Sequence, residues 1–80
     1  METSLHSKAY AAFLRHLRAA RRRAGLTQMG LARRLGETQS FVSKCERGER
    51  RIDVVELRHF CKALGVSLTE FVRRLDREME

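Results

Sequence analysis

Two short apolar stripes, each introduced by a threonine and separated by a single glycine, limit what this chain can fold into more than any other feature of its 80 residues. They lie within residues 26–48. Thr27 reads as an N-cap, because its hydroxyl can accept a hydrogen bond from a first-turn N–H. Behind it Leu31, Ala32 and Leu35 fall on one helical face. Gly36 ends that helix: a glycine past the last turn can adopt the left-handed conformation that reverses the chain within about three or four residues. Thr38 then caps a second helix. At about 100° per residue from Gln39, the residues Phe41, Val42 and Cys45 fall between about 200° and 300°, while Gln39, Ser40, Ser43, Lys44 and Arg47 fall between about 0° and 140°. One face is dry and the other carries amides, hydroxyls and cations.

The flanks repeat this punctuation. Residues 1–6 have no periodicity and read as a flexible N-terminal tail. Over residues 8–24, Tyr10, Phe13, Leu14, Leu17 and Ala20 keep helical spacing, which predicts an amphipathic helix ending before Gly25. After Gly48, Asp53 and Glu56 form a capping-box pair ahead of Leu57, Phe60, Cys61 and Leu64, and Gly65 ends that helix. Ser67 and Glu70 predict a second capping box ahead of Leu68, Phe71, Val72, Leu75 and Met79. Four of the five glycines fall just after a predicted helix. Local punctuation and periodicity therefore agree on an all-α chain of five helices. The boundaries expected are a domain over 7–76, the central helix pair at about 27–47, and a C-terminal tail over 77–80.

Charge is distributed unevenly. Residues 15–51 hold ten arginines and one lysine against three glutamates, a net +8. Residues 52–80 hold five basic against six acidic groups, a net −1, and Lys8 balances Glu2 in the first fourteen. The excess that makes the chain +7 sits around the central helix pair, the distribution expected of a polyanion-binding surface. The outward groups of the second central helix are those that can hydrogen-bond base edges in a major groove. Cys45 and Cys61 occupy core-facing positions without CxxC or CxxH spacing and read as buried small hydrophobes in a reducing compartment, with a disulfide or a metal as the alternative. No run of about 18 apolar residues is present and the start, Met-Glu-Thr-Ser, is acidic and polar, so neither membrane association nor a signal peptide is expected and a cytoplasmic protein is. No nucleophile or metal-ligand constellation joins the three histidines, so no enzyme, metal or cofactor is expected.

Gly25, Leu26, Thr27 and Gln28, Leu31 with Ala32, Leu35 with Gly36, Gln39 with Ser40, the run Val42, Ser43 and Lys44, and the Glu46-x-Gly48 element together resemble the helix-turn-helix of the phage repressor and Cro (XRE) family. Leu17, Arg18 and Arg21 before this stretch, and the run Ala63, Leu64, Gly65 and Val66 after it, extend the resemblance over roughly residues 14–75. Two positions depart from the family pattern. Gly30 stands where a glutamate often completes a capping box, and Glu37 stands where the family is usually apolar. The resemblance implies a five-helix repressor-like DNA-binding domain. It implies base contacts by Gln39, Ser40, Ser43 and Lys44, and phosphate contacts by Gln28, Thr38, Arg47, Arg50 and Arg51. It also implies an ion pair between Arg21, which continues the buried edge one turn after Leu17, and Glu46.

The leading expectation is a sequence-specific double-stranded DNA binder acting as a repressor. A different class, the antitoxin of a toxin pair with autoregulatory DNA binding, is the alternative, and its partner would be a toxin protein. The stripe Leu68, Phe71, Val72, Leu75 and Met79 exceeds what a terminal helix needs to dock on so small a core. A homodimer meeting a near-palindromic operator is therefore expected.

Overall fold

Among the described residues every helix start carries a side-chain oxygen that accepts from the N–H three residues on. These are Ser7 to Tyr10, Thr27 to Gly30, Thr38 to Phe41, Asp53 to Glu56 and Ser67 to Glu70, at 2.7 to 3.1 Å. A computed structural model describes residues 7–79, and the predicted tail over 1–6 lies outside the described residues. Five helices follow these caps: α1 Lys8–Arg23, α2 Gln28–Leu35, α3 Gln39–Glu46, α4 Val54–Leu64 and α5 Leu68–Met79. There is no strand among the described residues. Asp53 and Glu56 complete a reciprocal capping box at α4. The box expected at α5 is only half made: Ser67 accepts from Glu70 N–H, but the Glu70 carboxylate turns forward to Arg73 and Arg74, which lie on its own face of the helix.

Gly36 sits at φ +71°, ψ +30°, and its left-handed backbone turns the chain from α2 toward α3, which begins after only Glu37 and Thr38 more. A side chain there would strain the turn that sets the angle between the two helices. The first helix ends at Arg23, with Ala24 as its C-cap. The fifth runs to Met79, so residues 77–79 continue a helix where a tail was expected; Glu78 holds that last turn by pairing with Arg15 and with His16.

α1 packs on α3 and α5, α2 on α3 and α4, and α4 on α5. Leu17, Leu31, Val42 and Cys45, each 0% exposed, bring α1, α2 and α3 into one core, which Phe60 and Cys61 of α4 close from the other side. Phe41, at the edge of its predicted dry face, is half-buried against Phe60, ring centroids 6.3 Å apart.

One expectation about α5 is overturned. Phe71, placed on a partner-facing stripe, is 4% exposed and stands edge-on to Phe13 at 5.9 Å. α5 runs back along α1, whose apolar face needs cover, and Phe71 supplies it. Leu68 and Leu75 are half-buried against the same core, which leaves Val72 and Met79 as the outward apolar members.

A Cβ added to Gly30 would meet Leu26 Cδ2 and Thr27 Oγ1 at 3.4 Å each, which is ordinary contact. Gly30→Ala therefore removes backbone freedom from the unfolded chain without a clash. It is expected to add up to about 1 kcal/mol and raise the melting temperature by about 4 to 8 °C in a thermal melt.

Candidate nucleic-acid interface

Glu46, the last residue of α3, is a carboxylate 1% exposed, and its surroundings organise the helix-turn-helix. Arg21 Nε donates to its Oε2 at 2.7 Å and Nη2 donates to its Oε1 at 3.1 Å, while Nη1 donates to the Leu26 carbonyl at 2.9 Å. The Arg21 to Glu46 pair expected from the resemblance is thus present, bidentate and buried. Gln28 Nε2 adds a third bond to the carboxylate at 3.0 Å, and Arg18 Nη1 donates to the Glu46 backbone carbonyl at 2.9 Å. Among the described residues no buried side-chain N or O atom lacks a partner.

The chain of bonds reaches the surface. A carboxylate can only accept, so the Gln28 amide must turn its NH2 to Glu46, and its oxygen then faces α3, where Gln39 Nε2 donates to it at 3.4 Å. Gln39 is exposed, and its Oε1 and second N–H remain for a ligand. Thr38, which caps this helix, and Ser40 and Lys44 on it are exposed, and Ser43 is half-buried, its hydroxyl accepting from Arg47 Nη1. All four residues expected to read bases thus lie on a single eight-residue helix whose opposite face is buried.

The residues expected at phosphates have more to do than sequence reasoning assigned them. The Gln28 side chain is engaged inside the protein, so what α2 offers an anion is its first-turn N–H groups and the positive end of its dipole. Arg47 pairs with Glu49 beside it, an exposed contact that holds the Glu49 carboxyl below the usual carboxylate range. Arg50 lies over the Phe41 ring at 4.9 Å and donates to Glu56 at 2.8 Å, bracing α3 against α4 and lowering the Glu56 pKa together with the Asp53 N–H. Arg51 stacks on Tyr10 at 4.4 Å, and the Tyr10 hydroxyl accepts from Ile52 N–H at 3.2 Å, so the loop after α3 is docked on α1. Nothing in the local spacing of Gln28, Arg18 or Arg50 announces these cross-helix bonds.

Burial pushes the Cys45 and Cys61 thiols up, away from the reactive thiolate. No group of three or more His, Cys, Asp or Glu could hold a metal ion among the described residues. Among the described residues no helix is long and apolar enough to cross a membrane.

Two short helices fixed at an angle by a glycine turn, with a polar and basic second helix braced from behind, define a helix-turn-helix DNA-binding domain. The chain belongs to the XRE family of helix-turn-helix transcriptional regulators: residues 10–75 match the family described as "Helix-turn-helix domain". It is 43% identical over 56 residues to y4dJ of Sinorhizobium fredii, an uncharacterised HTH-type transcriptional regulator, covering 70% of this chain and 73% of that one. The fold superposes at a TM-score of 0.86 on an XRE-family like protein from Pseudomonas syringae pv. tomato, 44% identical, with 94% of this chain and 92% of that chain covered. It superposes at 0.83 on a mutant of the restriction-modification controller protein C.Esp1396I, 26% identical, covering 91% of this chain and 97% of that one. The protein is a DNA-binding transcriptional regulator.

Because Glu46 is buried and bonded three ways, removing either partner strands a charge. Glu46→Leu and Arg21→Leu are each expected to cost about 3 to 5 kcal/mol in urea unfolding, and the double substitution far less than the sum of the two. Strict additivity would show that the pair is not coupled.

Proposed function

We propose that this regulator is a repressor that binds a near-palindromic operator as a homodimer in the cytoplasm, reading bases with α3. The observation that carries the reading is the oriented Gln39 amide, held by Gln28 at the head of an otherwise exposed polar helix. An amide so placed can donate and accept at once, which matches the N7 and N6 pattern of adenine. Ser40, Ser43 and Lys44 follow on the same face for neighbouring base edges. The α2 N-terminus, Thr38, Arg47 and Arg51 serve the backbone, with Arg50 bracing the loop that carries Arg47 and Arg51. Exchange of the exposed Glu49 for a phosphate frees Arg47 at small cost, since water and salt screen such surface pairs.

Base readout and backbone attraction separate experimentally. Gln39→Ala is expected to cost about 1 to 3 kcal/mol on the operator, to relax preference at one base pair per half-site, and to leave the salt slope unchanged. Arg47→Ala is expected to weaken all sequences alike and to flatten the dependence of log affinity on log salt by about one unit. Titrations of both variants against selected and scrambled duplexes at several salt concentrations decide the assignment. Equal weakening of both duplexes by Gln39→Ala removes Gln39 from the readout.

The dimer reading rests on α5, where Val72 and Met79 remain 44% and 52% exposed beside half-buried Leu68 and Leu75. Two recognition helices joined this way would meet half-sites about 34 Å apart. Sedimentation equilibrium at micromolar concentration is expected to give a dimer for the wild type and a folded monomer for Val72→Arg. A wild-type monomer with and without DNA overturns the dimer.

A further inference from the structure

We infer that the DNA contact extends beyond the helix-turn-helix onto α1, with Arg18 as a ligand for a backbone phosphodiester. This rests on the DNA-binding reading and adds a second element to that surface. A groove of about 570 Å³ runs between α1 and the end of α3, walled by Arg15 and Arg18 of α1, Gln28 of α2 and Arg47 after α3, with Leu14 and Glu46 beneath. Gln28 and Arg47 mark the two ends of the helix-turn-helix, so the groove is continuous with the α3 surface. Its lone carboxylate, Glu46, is 1% exposed and already accepts from Arg21 twice and from Gln28. What the groove offers outward is therefore positive charge, to which the N-terminus of α2 adds its partial charge.

Arg18 stands apart from the other two arginines. Arg15 pairs with Glu78 and Arg47 with Glu49, whereas Arg18 donates from Nη1 to the Glu46 carbonyl and to no carboxylate. That bond fixes the guanidinium at the end of α3 and uses one of its five N–H donors. A planar cation already held in place, half-buried and not neutralised by an acid, is the kind of group that binds a phosphodiester with little ordering cost. Arg22, on the same helix, does not line the groove and serves as an internal control.

The test compares wild type, Arg18→Gln, Arg18→Lys and Arg22→Gln on a selected and a scrambled duplex across a salt series, each variant checked for folding by circular dichroism. Arg18→Gln is expected to flatten the salt slope by about one unit on both duplexes, so that the loss of affinity between about 50 and about 200 mM salt becomes roughly threefold to fourfold smaller. Arg18→Lys, which keeps the charge, and Arg22→Gln are expected to retain the wild-type slope. An unchanged slope in Arg18→Gln, an equal drop in Arg22→Gln, or a drop in Arg18→Lys overturns the inference. Phosphate ethylation interference with the wild-type protein reads the same contact without a variant: interference is expected at a phosphate outside those flanking the recognised bases, and its absence also overturns the inference. Failure of the wild type to bind any duplex would instead overturn the DNA-binding reading itself.

Discussion

A buried carboxylate is costly unless it finds donors, and in this protein Glu46, at the end of α3, draws them from two other helices. Arg21 reaches it from α1 and Gln28 from α2, while Glu46 itself ends α3. Such a pair contributes little net stability against a well-packed apolar core, because the desolvation of both charges opposes their attraction. Its effect is geometric. The guanidinium fork and carboxylate meet well in few arrangements, so α3 cannot slide or rotate on α1 without stranding a charge. The apolar contacts of Leu17, Leu31, Val42 and Cys45 hold the helices together, and the polar network selects the arrangement in which they are held.

The same network shows how a site on a protein this small can be rigid although its recognition helix has only eight residues. A helix of that length is marginal alone in water. Here its first turn is capped by Thr38 and its last carbonyls meet Arg18 and the turn at Gly48. Its inner face is sealed by Phe60 and its neighbours. Arg50, lying across Phe41 to Glu56, ties the outer edge to α4. Positive charge is thereby used twice, as internal bracing and as a surface for a polyanion.

What could be read from the sequence follows the range of the interaction. Caps and glycine turns are decided within about four residues, so Thr27, Gly36, Thr38 and Asp53 announce α2, α3 and α4 directly. The Arg21 to Glu46 pair spans 25 residues and was legible only through resemblance to relatives that share the motif. The bonds from Gln28 and Arg18 to Glu46 span 18 and 28 residues and have no local signature, since an exposed glutamine or arginine reads the same in sequence. Phe71 marks a different boundary. Periodicity identifies which face of α5 is apolar, but whether that face meets its own core or a second molecule depends on how much of α1 is left uncovered. The end of α5 was likewise misjudged because the anchor of its last turn, Glu78 on Arg15 and His16, lies more than 60 residues away in sequence.

The placement of Glu46 late in the helix-turn-helix gives the protein a built-in order during synthesis. Arg18, Arg21 and Gln28 all leave the ribosome before the carboxylate they serve, and Phe60, which seals the back of α3, leaves after it. Until α4 has been made, a nascent chain already carries the ten arginines of residues 15–51 but no braced α3 to direct them. Such a chain carries the charge that attracts polyanions before α3 has the backing that fixes its outward face.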